Sequence, residues 1–219
     1  MAITTTFDVR NELPGQTMDH VLVFLKPLRA SPNFQYYAWR DLNPPMSGFQ
    51  DFLFTIDLSV NVFNPDSGVT STTESINPGE LFSAINPNGQ GPYLSTANIN
   101  TGQITSSQAG VINLCDSPFI RIGLNWYNTG QLVVTAGSGV ANVINNSKIV
   151  TLEFEPTLYF MAAEPTVIGP NFTLQDYSSM TPYTLKAGIT NVTVHWTRPN
   201  GNNGEDVFVF EPPSAVIGR

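Results

Sequence analysis

The chain has 219 residues, enough to bury a core within one domain, with 41% apolar residues, only 12% charged residues and a net charge of −8. Nine basic residues scattered singly against seventeen acidic ones form no cationic stripe, which excludes nucleic acid as an expected partner and disfavours a membrane surface. One cysteine excludes an internal disulfide and a thiolate metal cluster, and the start MAITTTFDVR lacks the basic and apolar runs of a signal peptide, so a soluble product of cytoplasmic synthesis without cofactor or metal is expected.

Residues 3–9 read as a first strand, rich in Thr and β-branched side chains, suited to a sheet edge or to pairing with a neighbour. Residues 20–28, HVLVFLKPL, are apolar on both faces, as in a central strand covered on both sides, and Lys26 and Pro27 mark its exit. The aromatic run at 34–40, with Phe34, Tyr36, Tyr37 and Trp39, predicts core packing, and Pro44, Pro45 and Gly48 interrupt the chain after it. Over 52–62, Phe52, Phe54, Ile56, Leu58, Val60 and Val62 alternate with Leu53, Thr55, Asp57, Ser59 and Asn61. That pattern predicts one long strand with a single buried face.

Three turns then punctuate the chain: Asn64-Pro65-Asp66-Ser67-Gly68, Asn77-Pro78-Gly79 and Asn86-Pro87-Asn88-Gly89. In each, Asn caps the turn, Pro presets φ and Gly takes the positive-φ position. Short strands are expected at 68–76, 81–85 and 93–99. Residues 118–160 predict a three-strand antiparallel meander. Ile120, Ile122, Leu124 and Trp126 alternate up to the turn Tyr127-Asn128-Thr129-Gly130, and Leu132, Val134 and Ala136 resume the rhythm. Val150, Leu152 and Phe154 form its third strand, which Pro156 ends for want of an amide hydrogen. Further strands are expected at 183–186, 191–197 and 206–210.

Roughly eleven to fourteen strands without crossover helices predict an all-β fold, a two-sheet antiparallel β-sandwich of jelly-roll or Greek-key type with little helix. Residues 1–219 form a single domain whose N-terminal (1–10) and C-terminal (211–219) segments are candidates to extend to a neighbour.

Chemistry is sparse. His20 and His195 lie in no metal-binding spacing and read as structural, no GxSxG elbow is present, and Cys115 reads as a small buried hydrophobe. Glu153 and Glu155 stand about 6–7 Å apart on one strand face, but opposite the face that Val150, Leu152 and Phe154 bury, so they read as solvated and not as a glycosidase pair.

Only Lys26, Lys148 and Lys186 are available to blunt sheet edges, so the leading expectation is a non-enzymatic structural protein that pairs with copies of itself as a homo-oligomer, shell or fibre. The alternative is a lectin-like module for neutral glycans. Asn200, Asn202, Asn203, Glu205 and Asp206 in one loop, and Asn88, Gln90 and Tyr93 in another, offer amide and carboxylate hydrogen bonds with an aromatic face. A third reading is a pore-forming protein, from the Thr/Ser-rich alternation of 95–112.

Overall fold

The computed structural model describes residues 4–27, 34–55, 57–64, 67–86, 89, 91–95, 98–99, 102–115, 119–126, 132–136, 144–145, 149–163, 180–199 and 204–214. Seventeen Pro and seventeen Gly leave no long breaker-free helical period, and the described residues form twenty β-strands and no helix. These strands make four sheets.

Sheet I has the order β20 (Val207–Glu211), β19 (Asn191–Thr197), β1 (Thr5–Asn11), β5 (Phe49–Phe54). Sheet II runs β18 (Thr181–Thr184), β17 (Phe154–Ala163), β2 (His20–Pro27), β4 (Arg40–Leu42). Sheet III runs β3 (Phe34–Tyr36), β14 (Leu132–Ala136), β13 (Phe119–Trp126), β6 (Leu58–Asn64), β7 (Val69–Thr70), with β15 (Ile144–Asn145) on β13 and β8 (Glu74–Ile76) on β6. Sheet IV runs β10 (Tyr93–Leu94), β9 (Glu80–Ile85), β12 (Ala109–Asn113), β16 (Ile149–Leu152), with β11 (Asn98–Ile99) also on β9.

The two-sided apolarity of β2 organises these sheets. Val21, Val23 and Leu25 enter one apolar cluster, while Leu22 and Phe24, on the opposite face of the pleat, enter another. Its neighbour β17 divides in the same way: Leu158 and Phe160 belong to the first cluster, and Ala163, with Tyr159 and Met161 packed beside it, to the second. The first cluster joins sheet II to sheet I and is rich in rings. Phe7 stacks on Phe52 at 5.0 Å, Trp39 meets Phe52 edge-on at 5.5 Å, and Tyr183 lies 4.7 Å from Phe210. The second cluster joins sheet II to sheets III and IV through Val60, Val62, Ile76, Phe82, Ala84, Ala109 and Val111. Cys115 is buried in it as the expected small hydrophobe. Leu58 packs against both clusters.

Several sequence expectations change. Two sheets become four, because a strand buried on both faces needs a layer on each side. Most pairs are antiparallel, but β1 pairs with β19, and β12 with β9, in parallel. The first strand lies inside sheet I, between β19 and β5, not on its edge. The long strand at 52–62 is two strands in two sheets. Phe52 and Phe54 face the first cluster and Val60 and Val62 the second, so the alternation continues while the chain crosses over.

β13 and β14 pair antiparallel as expected, with a register shift at Leu124/Asn125, and the expected turn at Tyr127-Asn128-Thr129-Gly130 lies outside the described residues; the third strand of the expected meander does not join this pair. β16 pairs with β12 and β17 with β2. Pro156 does not end β17, because it falls where the ladder slips between the Phe154–Pro27 and Leu158–Leu25 pairs, and a slipped position needs no proline amide. The expected turn glycines hold: Gly68, Gly79 and Gly89 have φ of 68°, 89° and 68°.

The C-terminal segment is tied down as far as it is described. Tyr183 Oη donates to Pro212 O at 3.2 Å, and Thr184 N donates to Ser214 Oγ at 2.8 Å. Burial raises the Tyr183 pKa above the ordinary tyrosine value. The unfolded chain therefore loses this proton first, and the stability held by the protonated phenol, complete below about pH 10, is lost as pH rises through the folded pKa. Urea unfolding between about pH 9 and 11 should show this fall, with a shallower slope in Tyr183→Phe.

Shared strands predict shared unfolding. Phe24→Ala in one cluster and Phe160→Ala in the other should each cost about 3–5 kcal/mol and shift the same urea transition, read alike by tryptophan fluorescence and far-UV circular dichroism. Two separable transitions would contradict a common core.

Candidate functional site

Where β1 leaves sheet I, the chain reads Asn11-Glu12-Leu13, and Asn11 is 4% exposed. A buried amide needs partners on both its oxygen and its nitrogen. Asn11 Nδ2 donates to Pro44 O at 3.1 Å, and Oδ1 accepts from Leu13 N at 3.2 Å. Its backbone is engaged as well, donating to Gly48 O at 3.0 Å and accepting from Ser47 N at 3.1 Å. One residue thus clips the 44–48 turn to the end of β1.

The turn itself is tightly built. Gly48 N donates to Pro45 O at 2.8 Å, and a Cβ at Gly48 would sit 2.7 Å from Pro45 Cγ, so no larger residue fits without moving a proline ring. Ser47 adopts a φ of 57°, a left-handed conformation that costs a non-glycine residue on the order of 1 kcal/mol and persists because the clip over-determines it.

Two clefts flank this clip. The larger, about 560 Å³, is lined by Arg10, Asn11, Glu12, Leu13, Ser47, Gly48 and Phe49. The smaller, about 300 Å³, lies on the side of Gln16, Thr17, Met18 and Met46.

The outward face of sheet I carries charge beside the larger cleft. Register places Phe49, Arg10, His195 and Val209 in one row across its four strands, and Asp51, Asp8, Thr193 and Glu211 in the next. Arg10 donates through Nε and Nη2 to Asp8 Oδ2 at 3.2 and 2.9 Å. This partly offsets the like charges of Asp8 and Asp51, which stand directly opposite each other. His195 Nδ1 lies 2.7 Å from Glu12 Oε1, and its Nε2 is 3.7 Å from Glu211 Oε2, beyond hydrogen-bond range. His20 likewise pairs with Asp41 at 2.6 Å. Among the described residues no His, Cys, Asp and Glu group is placed to hold a metal ion, and no helix is long and apolar enough to cross a membrane.

The residues expected from sequence to bind a ligand are placed as follows. Asn200, Asn202, Asn203, Asn88 and Gln90 lie outside the described residues. Asp206 is engaged within the fold: Trp196 Nε1 donates to its Oδ2 at 3.0 Å and Arg198 Nε to its Oδ1 at 2.6 Å, a contact that raises the Arg198 pKa. Glu205 is exposed beside it. Tyr93 is exposed on β10 of sheet IV, whereas Glu205 and Asp206 precede β20 of sheet I. The described part of 95–112 contains the short β11, bends and turns over 102–108, and the start of β12, where Ala109, Gly110 and Val111 are buried. The cleft residues Arg10, Glu12, Ser47 and Phe49 are not marked in the sequence, where 44–48 reads only as a break; the one local signal is Asn-Glu directly after a strand.

Comparison with family models, curated proteins and solved structures finds no match.

Asn11→Ala should remove two side-chain hydrogen bonds and free the turn, costing about 1–3 kcal/mol. Chemical denaturation, with faster amide exchange at Ser47 and Gly48 than in wild type, checks this. Unchanged exchange there would show that the turn holds without the clip.

Proposed function

We propose that the protein is a non-enzymatic structural protein that self-associates into a homo-oligomer, shell or fibre through its sheet edges. The observation that carries this reading is the contrast between the edges of sheet I and the others. β5 and β20 are six and five residues long and contain no Lys, Arg or Pro. Sheet II ends instead on β18, which contains Pro182, and on the three-residue β4, which contains Arg40. Sheet III ends on strands of three and two residues, and sheet IV on strands of two and four. Short strands, prolines and cations are the usual devices that keep edges from pairing with another chain, and sheet I lacks all three.

Exposed apolar side chains accompany both open edges. On the outer face, Phe49 and Leu53 of β5 are 62% and 60% exposed and Val209 of β20 is 50% exposed. A second copy adding a strand at either edge would satisfy backbone groups and bring its own side chains beside Leu53 or Val209. Sheets I and II, which share the aromatic cluster, are taken as the two leaves of a sandwich in this reading. The parallel β1–β19 pair counts against the jelly-roll form, whose strands run antiparallel.

Light scattering coupled to size exclusion tests the proposal. Wild type should elute above the 23.9 kDa of one chain, increasingly so as salt screens its net charge of −8. Leu53→Lys or Val209→Lys should weaken association by about tenfold or more, which is ~1.4 kcal/mol. A monomer at every concentration and salt would overturn it.

A further inference from the structure

We propose that the larger cleft, between the end of β1 and the 44–48 turn, binds a neutral saccharide, with Phe49 as the stacking surface and Arg10, Glu12 and Ser47 as hydrogen-bonding groups. This goes beyond the assembly reading and does not rest on it.

Three polar groups at the cleft have unused valences. Arg10 is oriented by Asp8 through Nε and Nη2, and Nη1 has no partner among the described residues. Glu12 is oriented by His195 through Oε1, which leaves Oε2 unpartnered among them. Ser47, its backbone bonded to Asn11, lines the cleft, and its hydroxyl makes no bond to a described residue. The site therefore offers a donor and an acceptor on side chains already held in place, and a hydroxyl that is both on a fixed backbone. A sugar hydroxyl, itself donor and acceptor, matches this set. Because the groups are oriented before binding, little side-chain entropy remains to be lost on contact.

The apolar half is Phe49. Its ring is largely exposed, and its row across sheet I places it opposite Arg10. One face of a pyranose is a patch of C–H groups that covers such a ring while the rim hydroxyls reach polar neighbours. A volume of about 560 Å³ lies within the roughly 300–1,000 Å³ range of small-molecule sites.

Charge separates this ligand class from its rivals. The lining contains one arginine and one glutamate, whose formal charges cancel, so neither an anion nor a cation finds a net opposite charge in it. An entirely apolar ligand would leave Arg10, Glu12 and Ser47 desolvated without partners. The inference also moves any glycan site away from Asp206, whose two carboxylate oxygens are occupied within the fold.

Saturation-transfer difference NMR on the full chain tests it, with the methyl glycosides of glucose, galactose, mannose, N-acetylglucosamine and fucose as millimolar probes. At least one should receive saturation, and that signal should fall by about tenfold or more in Phe49→Ala, Glu12→Gln and Ser47→Ala. It should persist in Tyr93→Ala, which alters the other candidate loop, and in Leu53→Lys, which alters only the edge. Ser47→Ala and Glu12→Gln keep the test decisive if Phe49→Ala perturbs folding or association. Absence of transfer from all five glycosides, or transfer unchanged in Glu12→Gln and Ser47→Ala, would overturn the proposal.

Discussion

The constraint on which the rest depends is the burial of β2 on both faces. A strand whose five consecutive residues 21–25 are all buried cannot serve a sheet with a wet side. It has to lie between two apolar layers, and each layer must then be supplied by other parts of the chain. Sheet I supplies one with Phe7, Val9, Phe52, Phe54, Val194 and Trp196, and sheets III and IV supply the other with Val60, Val62, Phe82 and Val111. Splitting the strands among four sheets follows from this demand. The cost is a larger number of edges, since four open sheets have more ends than two. Three of the sheets end on strands that are short or carry Pro or Arg; the edges of sheet I are the longest and the least protected.

The second organising feature is polar. Asn11 is the point where the interior strand β1 hands over to the loop that borders both clefts, and its side-chain amide and backbone groups are each matched with good geometry. A satisfied buried amide of this kind adds little net stability compared with an apolar residue of similar shape, yet it specifies one arrangement of the turn, because any other leaves buried groups unpaired. The left-handed Ser47 and the close approach of Gly48 to Pro45 are consequences of that specification. A cleft with such walls keeps its shape before any ligand arrives.

What the sequence makes legible is local. The turn glycines follow from Asn-Pro-Gly chemistry within five residues, β19 follows from the alternation of Val192, Val194 and Trp196, and the two-sided burial of β2 follows from an unbroken apolar run. What it conceals is where a regular pattern changes partners. Between Phe54 and Leu58 the period-2 rhythm runs on while the chain passes from sheet I to sheet III, and a period alone carries no mark of that crossing. The parallel β1–β19 pair joins residues more than 180 positions apart, and Pro156 is tolerated only because of a register slip that the neighbouring strand determines. The candidate site is hidden for the same reason: Arg10 and Glu12 meet Ser47 and Phe49 through the β1–β5 pairing and the Asn11 clip, across more than thirty residues. Asp206, by contrast, looks available because its partners Trp196 and Arg198 also look, in sequence, like ordinary strand and loop residues.

The two proposals occupy the same strand without competing for the same atoms. Strand addition at β5 uses backbone N–H and C=O groups that point sideways in the plane of sheet I, whereas Phe49 and Arg10 project from the outward face of that sheet, perpendicular to the edge. An assembly built by edge pairing would therefore leave the cleft open in every copy and repeat it at the spacing of the subunits. Single saccharide contacts of this kind, with one ring and three polar groups, are weak because few atoms are covered. Repetition changes that, since linked sites on one assembly engage a polyvalent glycan with an effective concentration set by their spacing, and overall avidity rises by about 10²–10⁴ over one site. The two proposals are thus complementary: assembly by edge pairing would supply the multiplicity that a weak single site needs to hold a glycan.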